Sequence, residues 1–322
     1  MAKIIRWGMV GTGDVTEVKS GPGFYKSRNS TLHAVTNRTY EKAVDYAHRH
    51  QVEKVYENID DMIAAGEVDA IYIATPPGSH KELALKCAVA RIPCYIEKPV
   101  ATSYTEHQEM IAAFEMTNTK AFAAYYRREH ARFKKVKELV ITGAIGKVCF
   151  AHLSLYRPAE PQEKDGTSWR IHPEVSGGGI FMDLAVHQLD IMNFIFGEFE
   201  PEMMPFAANN GGFYQPEDTI NVNYRYKNGV HLTADWCFVA GFYKDEIEIV
   251  GTDGRIILSC FGTDPVIVET LSGSEIFEFE RPEHVHQPLI QTIVDELNRE
   301  GSCPSTLETA LETAWLVDKL VK

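Results

Sequence analysis

The sequence predicts an α/β chain in two domains: a doubly wound parallel sheet over residues 1–124, then, over residues 125–322, an α+β domain on a large, mostly antiparallel open sheet. Three observations predict it. The 322 residues exceed the size at which one hydrophobic core usually stops growing, which favours two domains sharing a cleft. Short apolar runs alternate with helical patterns as far as Tyr125, the grammar of parallel strands joined by helical crossovers. Beyond Tyr125, period-two stretches and hairpin turn signals take over.

In the first domain, strands are expected near residues 4–10, 31–37, 70–74, 93–97 and 120–125, with helices between them such as 41–50 and 79–90. Gly21-Pro22-Gly23 interrupts the helix expected after the first strand, because proline cannot continue the hydrogen-bond ladder. In the second domain a helix over 130–142 precedes strands over 148–156, 219–226, 230–238 and 247–250. Lys227-Asn228-Gly229 and Thr252-Asp253-Gly254 read as tight hairpins, since Asn-Gly and Asp-Gly tolerate positive φ. Helices over 288–299 and 305–320 close the chain.

A net charge of −13 repels phosphate backbones and anionic lipid surfaces, so small molecules are the expected partners rather than nucleic acid or membrane. A 44% hydrophobic content supplies packed cores and excludes the disordered class. The six cysteines lack the close pairing of zinc or redox motifs and read as reduced core or loop residues. Met1 leads directly into a short apolar run and glycines with no signal-peptide pattern, so a cytoplasmic location is expected. No segment approaches the roughly 18 uninterrupted apolar residues of a spanning helix.

Gly11-Thr12-Gly13-Asp14-Val15-Thr16 follows the first strand and opens a helix. Gly11 would make the tight turn and Gly13 would let backbone amides approach a pyrophosphate, as in a dinucleotide-binding (Rossmann) unit, although Thr16 replaces the usual third small residue. The second strand ends Val35-Thr36-Asn37-Arg38-Thr39, without the carboxylate that usually binds the adenine ribose of NAD. Arg38 can pair with a 2′-phosphate, with Asn37 and Thr39 as further donors, so NADP is expected ahead of NAD. Thr75-Pro76-Pro77-Gly78-Ser79-His80 lies at the carboxyl edge of the sheet, where open α/β folds bind ligands. Ser79 suits a helix cap and His80 a helix start.

Lys98, in Tyr95-Ile96-Glu97-Lys98-Pro99, stands at the same edge on the nicotinamide side. Hydride transfer at a carbinol carbon requires a proton to leave or join the oxygen, and a partly buried lysine beside a cationic ring can carry it.

The Glu97-Lys98-Pro99 triplet after such a half resembles the glucose-fructose oxidoreductase, inositol dehydrogenase and rhizopine-catabolism (Gfo/Idh/MocA) family. The likeness covers essentially the whole chain, through Thr75-Pro76, the Gly143-Ala144-Ile145-Gly146 turn, and Trp169-Arg170 leading into a stretch from Ser176 to Asp190. That stretch, with its glycine turn and Asp-x-x-x-His helix, is the most specific match. The resemblance implies an NAD(P)-dependent enzyme acting on a sugar, anhydro-sugar or polyol, with Lys98 as catalytic lysine and Asp183 with His187 as the other active-site pair. It further implies that Trp169 and Arg170 reach cofactor or substrate, that Glu97 lies among the cofactor contacts, that Pro99 follows a cis bond, and that the open sheet forms a dimer or tetramer interface. Tyr126 and Arg127 depart from the relatives' asparagine or Tyr-Asn and are assigned to the substrate pocket.

Apart from any family, residues 180–196 read as a helix apolar almost all round, with Asp183, His187 and Asp190 as one polar stripe at i, i+4 and i+7. That spacing suits a metal, but no third ligand is evident and Lys98 already supplies the proton chemistry, so none is expected. The alternatives are a glycoside hydrolase that retains its dinucleotide and a non-enzymatic dinucleotide sensor; Lys98 argues against the sensor.

Overall fold

The computed structural model describes residues 2–321, which form two units. One comprises the residues up to Glu129 together with Pro282–Leu311; the other comprises His130–Arg281 and the residues from Glu312 onward. The returning segment is held in the first unit by the apolar face of the helix Gln287–Leu297, whose Leu289, Ile290, Ile293 and Val294 are buried. A single boundary at 124/125 misses this return, because composition does not change where the chain doubles back.

The first unit is built on β1 (Ile5–Val10), β2 (Ser30–Thr36), β3 (Lys54–Tyr56), β4 (Ala70–Ile73), β5 (Cys94–Ile96) and β6 (Ala121–Ala123), in the order β3-β2-β1-β4-β5-β6 with every pair parallel. The strand order reverses at β1, so the carboxyl ends of β1 and β4 flank a topological switch point. The sequence reading lacks β3, three half-buried residues too short for a period. The helix after β1 is split, as Gly21-Pro22-Gly23 leads one to expect, into Asp14–Glu17 and Gly21–Lys26. A Cβ on Gly21 would collide with the Tyr46 hydroxyl and the Thr16 carbonyl, which bond each other at 2.9 Å.

The second unit contains β7 (Val148–Tyr156), β8 (Phe199–Ala208), β9 (Thr219–Tyr226), β10 (His231–Cys237), β11 (Lys244–Gly251), β12 (Gly254–Leu258), β13 (Val266–Thr270) and β14 (Gly273–Phe277). Their order is β14-β13-β12-β11-β7-β10-β9-β8, antiparallel except between β7 and β10. Alternation is plain in β9, where Ile220, Val222, Tyr224 and Tyr226 are buried and the residues between them are not. Both expected hairpins form, β9 to β10 and β11 to β12. By contrast β8 lies outside the expected strands because its side chains are mostly exposed and carry no alternation. The stretch Pro173–Phe196 is long and apolar enough to cross a membrane by composition, yet 83% of its most apolar window is buried within the protein, as in a core helix.

Candidate active site

In the first unit the site starts at the end of β1. Gly11 has φ +98°, donates its N–H to Thr36 O at 2.8 Å, and a Cβ there would lie 2.7 Å from Ala74 O, so only glycine fits between the ends of β2 and β4. Gly13 differs: a Cβ on it meets nothing within 4 Å, which leaves the loop open to close approach by a ligand. The Thr12 hydroxyl accepts from Asn37 Nδ2 at 2.8 Å, and Asn37 Oδ1 accepts from Thr39 N–H at 2.9 Å, joining the glycine loop to the end of β2. Arg38 beside them is exposed and makes no ion pair among the described residues. Asp14 is exposed and Val15 half-buried at the start of the short helix.

At the end of β4, Ser79 occupies the N-cap position of the helix His80–Ala90, but its hydroxyl turns back to Thr75 Oγ1 at 2.8 Å and Pro76 O at 3.0 Å instead of capping. His80 does start the helix, and its ring is fully buried. Nε2 lies 2.7 Å from Thr75 O and Nδ1 lies 3.1 Å from Pro99 O, so the imidazole ties the loop after β4 to the loop after β5. Burial pushes it towards the neutral form. Both ring nitrogens are thus engaged with backbone carbonyls of these loops.

Lys98 is half-buried just beyond β5, and its peptide bond to Pro99 is cis, as the resemblance implies. Glu97 points the other way, into the core, where its carboxylate accepts from Tyr72 Oη at 2.5 Å and from Lys98 N–H at 3.2 Å. It carries no exposed surface for a cofactor contact beyond 7% of its side chain. Tyr126 and Arg127 are also buried: Arg127 donates to Tyr126 Oη at 2.9 Å, and the tyrosine ring lies 4.3 Å from that of His286. The guanidinium is thus hydrogen-bonded where it is buried, as a desolvated charge requires.

The residues at this edge fit a nicotinamide dinucleotide. The open approach at Gly13 suits a diphosphate, Asn37 and Arg38 suit the adenosine ribose, and Thr75, Pro76, Pro77 and Lys98 line the loops on the other side of the switch point.

In the second unit the helix Gly179–Phe196 begins after Gly177, Gly178 and Gly179, with φ values of 85°, 149° and 65° that side chains other than hydrogen rarely tolerate. Asp183, one turn in, accepts from Arg170 Nε at 2.8 Å, and the guanidinium lies 4.8 Å from the centre of the Trp169 ring. Asp183 and Arg170 line a cavity of about 360 Å³ together with Arg157, Ser168, Tyr243 and Phe261. His187 is buried, edge-on to Phe261 at 6.0 Å between ring centres. Asp190, the third member of the expected stripe, is fully buried and accepts from Thr313 Oγ1 at 3.5 Å.

Two features escaped the sequence reading. Half-buried Arg157 and buried Glu163 form a two-pronged pair at 2.5 and 3.0 Å on the cavity wall, and the Glu160-Pro161-x-Glu163 capping box of a short helix could have signalled it. His286, 3.5 Å from Glu97, left no local signal at all.

Residues 5–125 match the model of an oxidoreductase family with an NAD-binding Rossmann fold, and residues 133–257 match the GFO/IDH/MocA C-terminal domain. The chain is 37% identical over 320 residues to Oxidoreductase P35 of Formosa agariphila, covering 99% of this chain and 98% of that one. It is 27% identical over 257 residues to the myo-inositol 2-dehydrogenase of Thermotoga maritima, covering 78% of this chain and 74% of that one. An oxidoreductase from Agrobacterium radiobacter, solved with NAD+, L-tartaric acid and magnesium, shares the fold with a TM-score of 0.86 at 21% identity, covering 99% of this chain and 95% of that one. With both halves matched and one relative spanning nearly its full length, the chain belongs to the Gfo/Idh/MocA family of nicotinamide-dinucleotide oxidoreductases, dehydrogenases and reductases of CH-OH groups.

Proposed function

We propose that this enzyme is an NADP-preferring dehydrogenase or reductase of a sugar, anhydro-sugar or polyol, in which Lys98 moves the proton that accompanies hydride transfer. The observation that carries this reading is the half-buried Lys98 at the carboxyl edge of the parallel sheet, in the same unit as the glycine loop. The dinucleotide, when bound, accepts or supplies the hydride. In oxidation, the carbinol C–H electron pair leaves as hydride while the hydroxyl proton passes to Lys98 Nζ; reduction reverses both.

The second-unit cavity supports a carbohydrate-like ligand, because charged groups such as Arg157, Arg170 and Asp183 line it together with the aromatic Tyr243 and Phe261. Trp169, Asp183 and His187 are the substrate contacts of this reading, and a myo-inositol dehydrogenase among the relatives agrees with it. Exposed Arg38 favours NADP. Free thiols at all six cysteines accord with a cytoplasmic location, and exposed Phe150, Met204 and Phe206 on the large sheet accord with a homodimer or homotetramer.

The test is a panel of sugars, polyols and dicarbonyls with NAD(H) and NADP(H), followed by absorbance of the reduced nicotinamide. Turnover with tighter NADP(H) binding is expected, and Arg38→Ala should weaken NADP(H) about tenfold while leaving NAD(H) unchanged in calorimetry. Tight dinucleotide binding without turnover on any member would point to a sensor, and bond cleavage without net redox change to a glycoside hydrolase.

A further inference from the structure

Phe261 stands on the turn that follows β12, half-buried at the wall of the second-unit cavity, with its ring 6.0 Å from that of His187 and nearly perpendicular to it. The β11–β12 ladder ends at Ile247 and Leu258, and the N–H groups just beyond it take their acceptor from a side chain. Asp245, two residues before Ile247, accepts from Cys260 N–H at 3.0 Å on Oδ1, and from Phe261 N–H at 2.6 Å and Gly262 N–H at 3.1 Å on Oδ2. On the carbonyl side, Arg132 in the first turn of the helix Ala131–Ile141 donates to Gly262 O at 2.5 Å and to Asp264 O at 2.9 Å. Its Nη2 also reaches Ser259 Oγ at 3.4 Å.

A turn near the surface can leave its backbone groups to water at little cost, because the net worth of bonding them internally is small. Here three successive donors converge on one carboxylate and two acceptors on one guanidinium, and charge-assisted bonds of this kind are about twice as strong as neutral ones. The backbone at Phe261 is thus fixed from both sides, whatever its ring packs against. The need for fixing is physical. A half-exposed phenyl ring on a loose turn gains by closing over Ile180 and Leu184, the apolar residues that share the cavity with it.

We infer that Phe261 is a specificity-determining residue whose ring takes the C–H face of a cyclic sugar or cyclic polyol, and that Asp245 and Arg132 are positioning residues that keep it at the cavity wall. The inference rests on the reading of this cavity as the substrate site. A ring compound carries C–H groups on a face of fixed shape, which an aromatic side chain covers while the hydroxyls meet the charged groups of the cavity. An open-chain polyol with as many hydroxyls has no such face until its rotors are frozen, so it gains less. The cavity, about 360 Å³, lies near the lower end of the range of about 300–1,000 Å³ for small-ligand pockets, which suits a single ring.

The experiment compares KM and kcat for cyclic and open-chain members of the substrate panel, myo-inositol and D-mannitol among them. The proteins are the parent, Phe261→Leu, Phe261→Tyr, Asp245→Asn and the double variant Phe261→Leu/Asp245→Asn. Phe261→Leu should raise KM for cyclic members about tenfold with a smaller change in kcat, and Phe261→Tyr, which keeps the ring, should stay within about twofold of the parent. Asp245→Asn should raise the same KM about threefold in the parent but add nothing in the Phe261→Leu background, because it acts through the ring. Additive effects, equal effects on cyclic and open-chain members, or turnover of open-chain members alone overturn the inference. Amide exchange over residues 259–264, read by mass spectrometry, decides the positioning role even if Phe261→Leu does not fold: Asp245→Asn should speed it about tenfold, and unchanged exchange overturns that role. A parent that neither binds nor turns over any member instead overturns the reading of the cavity as the substrate site, whatever the variants show.

Discussion

Glu97 and Asp183 are both carboxylates inside the two most specific motifs of the chain, and the fold treats them in opposite ways. Glu97 is closed in, beneath an aromatic layer with a histidine and a tyrosine on its oxygens. Asp183 opens on a cavity and is paired with an arginine whose side chain is 44% exposed. The difference is energetic. A desolvated carboxylate has strong and costly interactions that are hard to rearrange, whereas a pair near solvent is screened and can exchange partners when a ligand arrives. The first arrangement is fixed once the chain has folded, whereas the second can respond to what enters the cavity.

The largest effect that could break this contrast is in the first unit. If Lys98 carries the proton as proposed and does not hold phosphates, Lys98→Met should lower kcat by about 10³-fold or more while dinucleotide affinity stays within a few-fold. Steady-state kinetics and calorimetry would check both halves.

Next is the cost of burying polar groups in that unit, which His107 reports without touching the site. Its Nε2 lies 2.9 Å from Leu307 O, its Nδ1 has no hydrogen-bond partner among the described residues, and burial lowers it from 6.5 to about 4. A depressed histidine stays neutral in the folded chain while the unfolded chain takes up a proton. Its contribution is therefore intact above pH 6.5 and falls away as pH drops towards about 4, by about 3 kcal/mol in all. Urea melts across that window should show His107→Leu with a flatter pH dependence than the parent. Equal slopes would mean that the ring is solvated in solution.

The second unit gives the smaller changes. His187→Gln should reduce kcat by about 10²-fold with little change in Tm; lost stability with kcat retained would make it a packing histidine beside Phe261. Arg170→Ala should raise KM only a few-fold, about the worth of a half-exposed ion pair and a ring contact, with kcat nearly unchanged. A loss as large as that of Lys98→Met would show that the open pair does more than bind.

The sequence alone determined the two kinds of sheet, because their periods differ: continuous apolar runs for strands buried on both faces, alternation for β9 and β10, and Asn-Gly and Asp-Gly where the hairpins turn. It also put forward Gly11, Lys98, Asp183 and His187 as candidates, since short motifs bind residue type to local backbone geometry. Only the tertiary structure decided which way those motifs face. It turned Glu97, Tyr126 and Arg127 inward, engaged Asp190 with Thr313, and brought His286 back to β5 from nearly two hundred residues away. Such outcomes depend on which surfaces meet when the chain doubles back, and burial by a distant segment leaves no trace in the period, spacing or composition of the residues it buries.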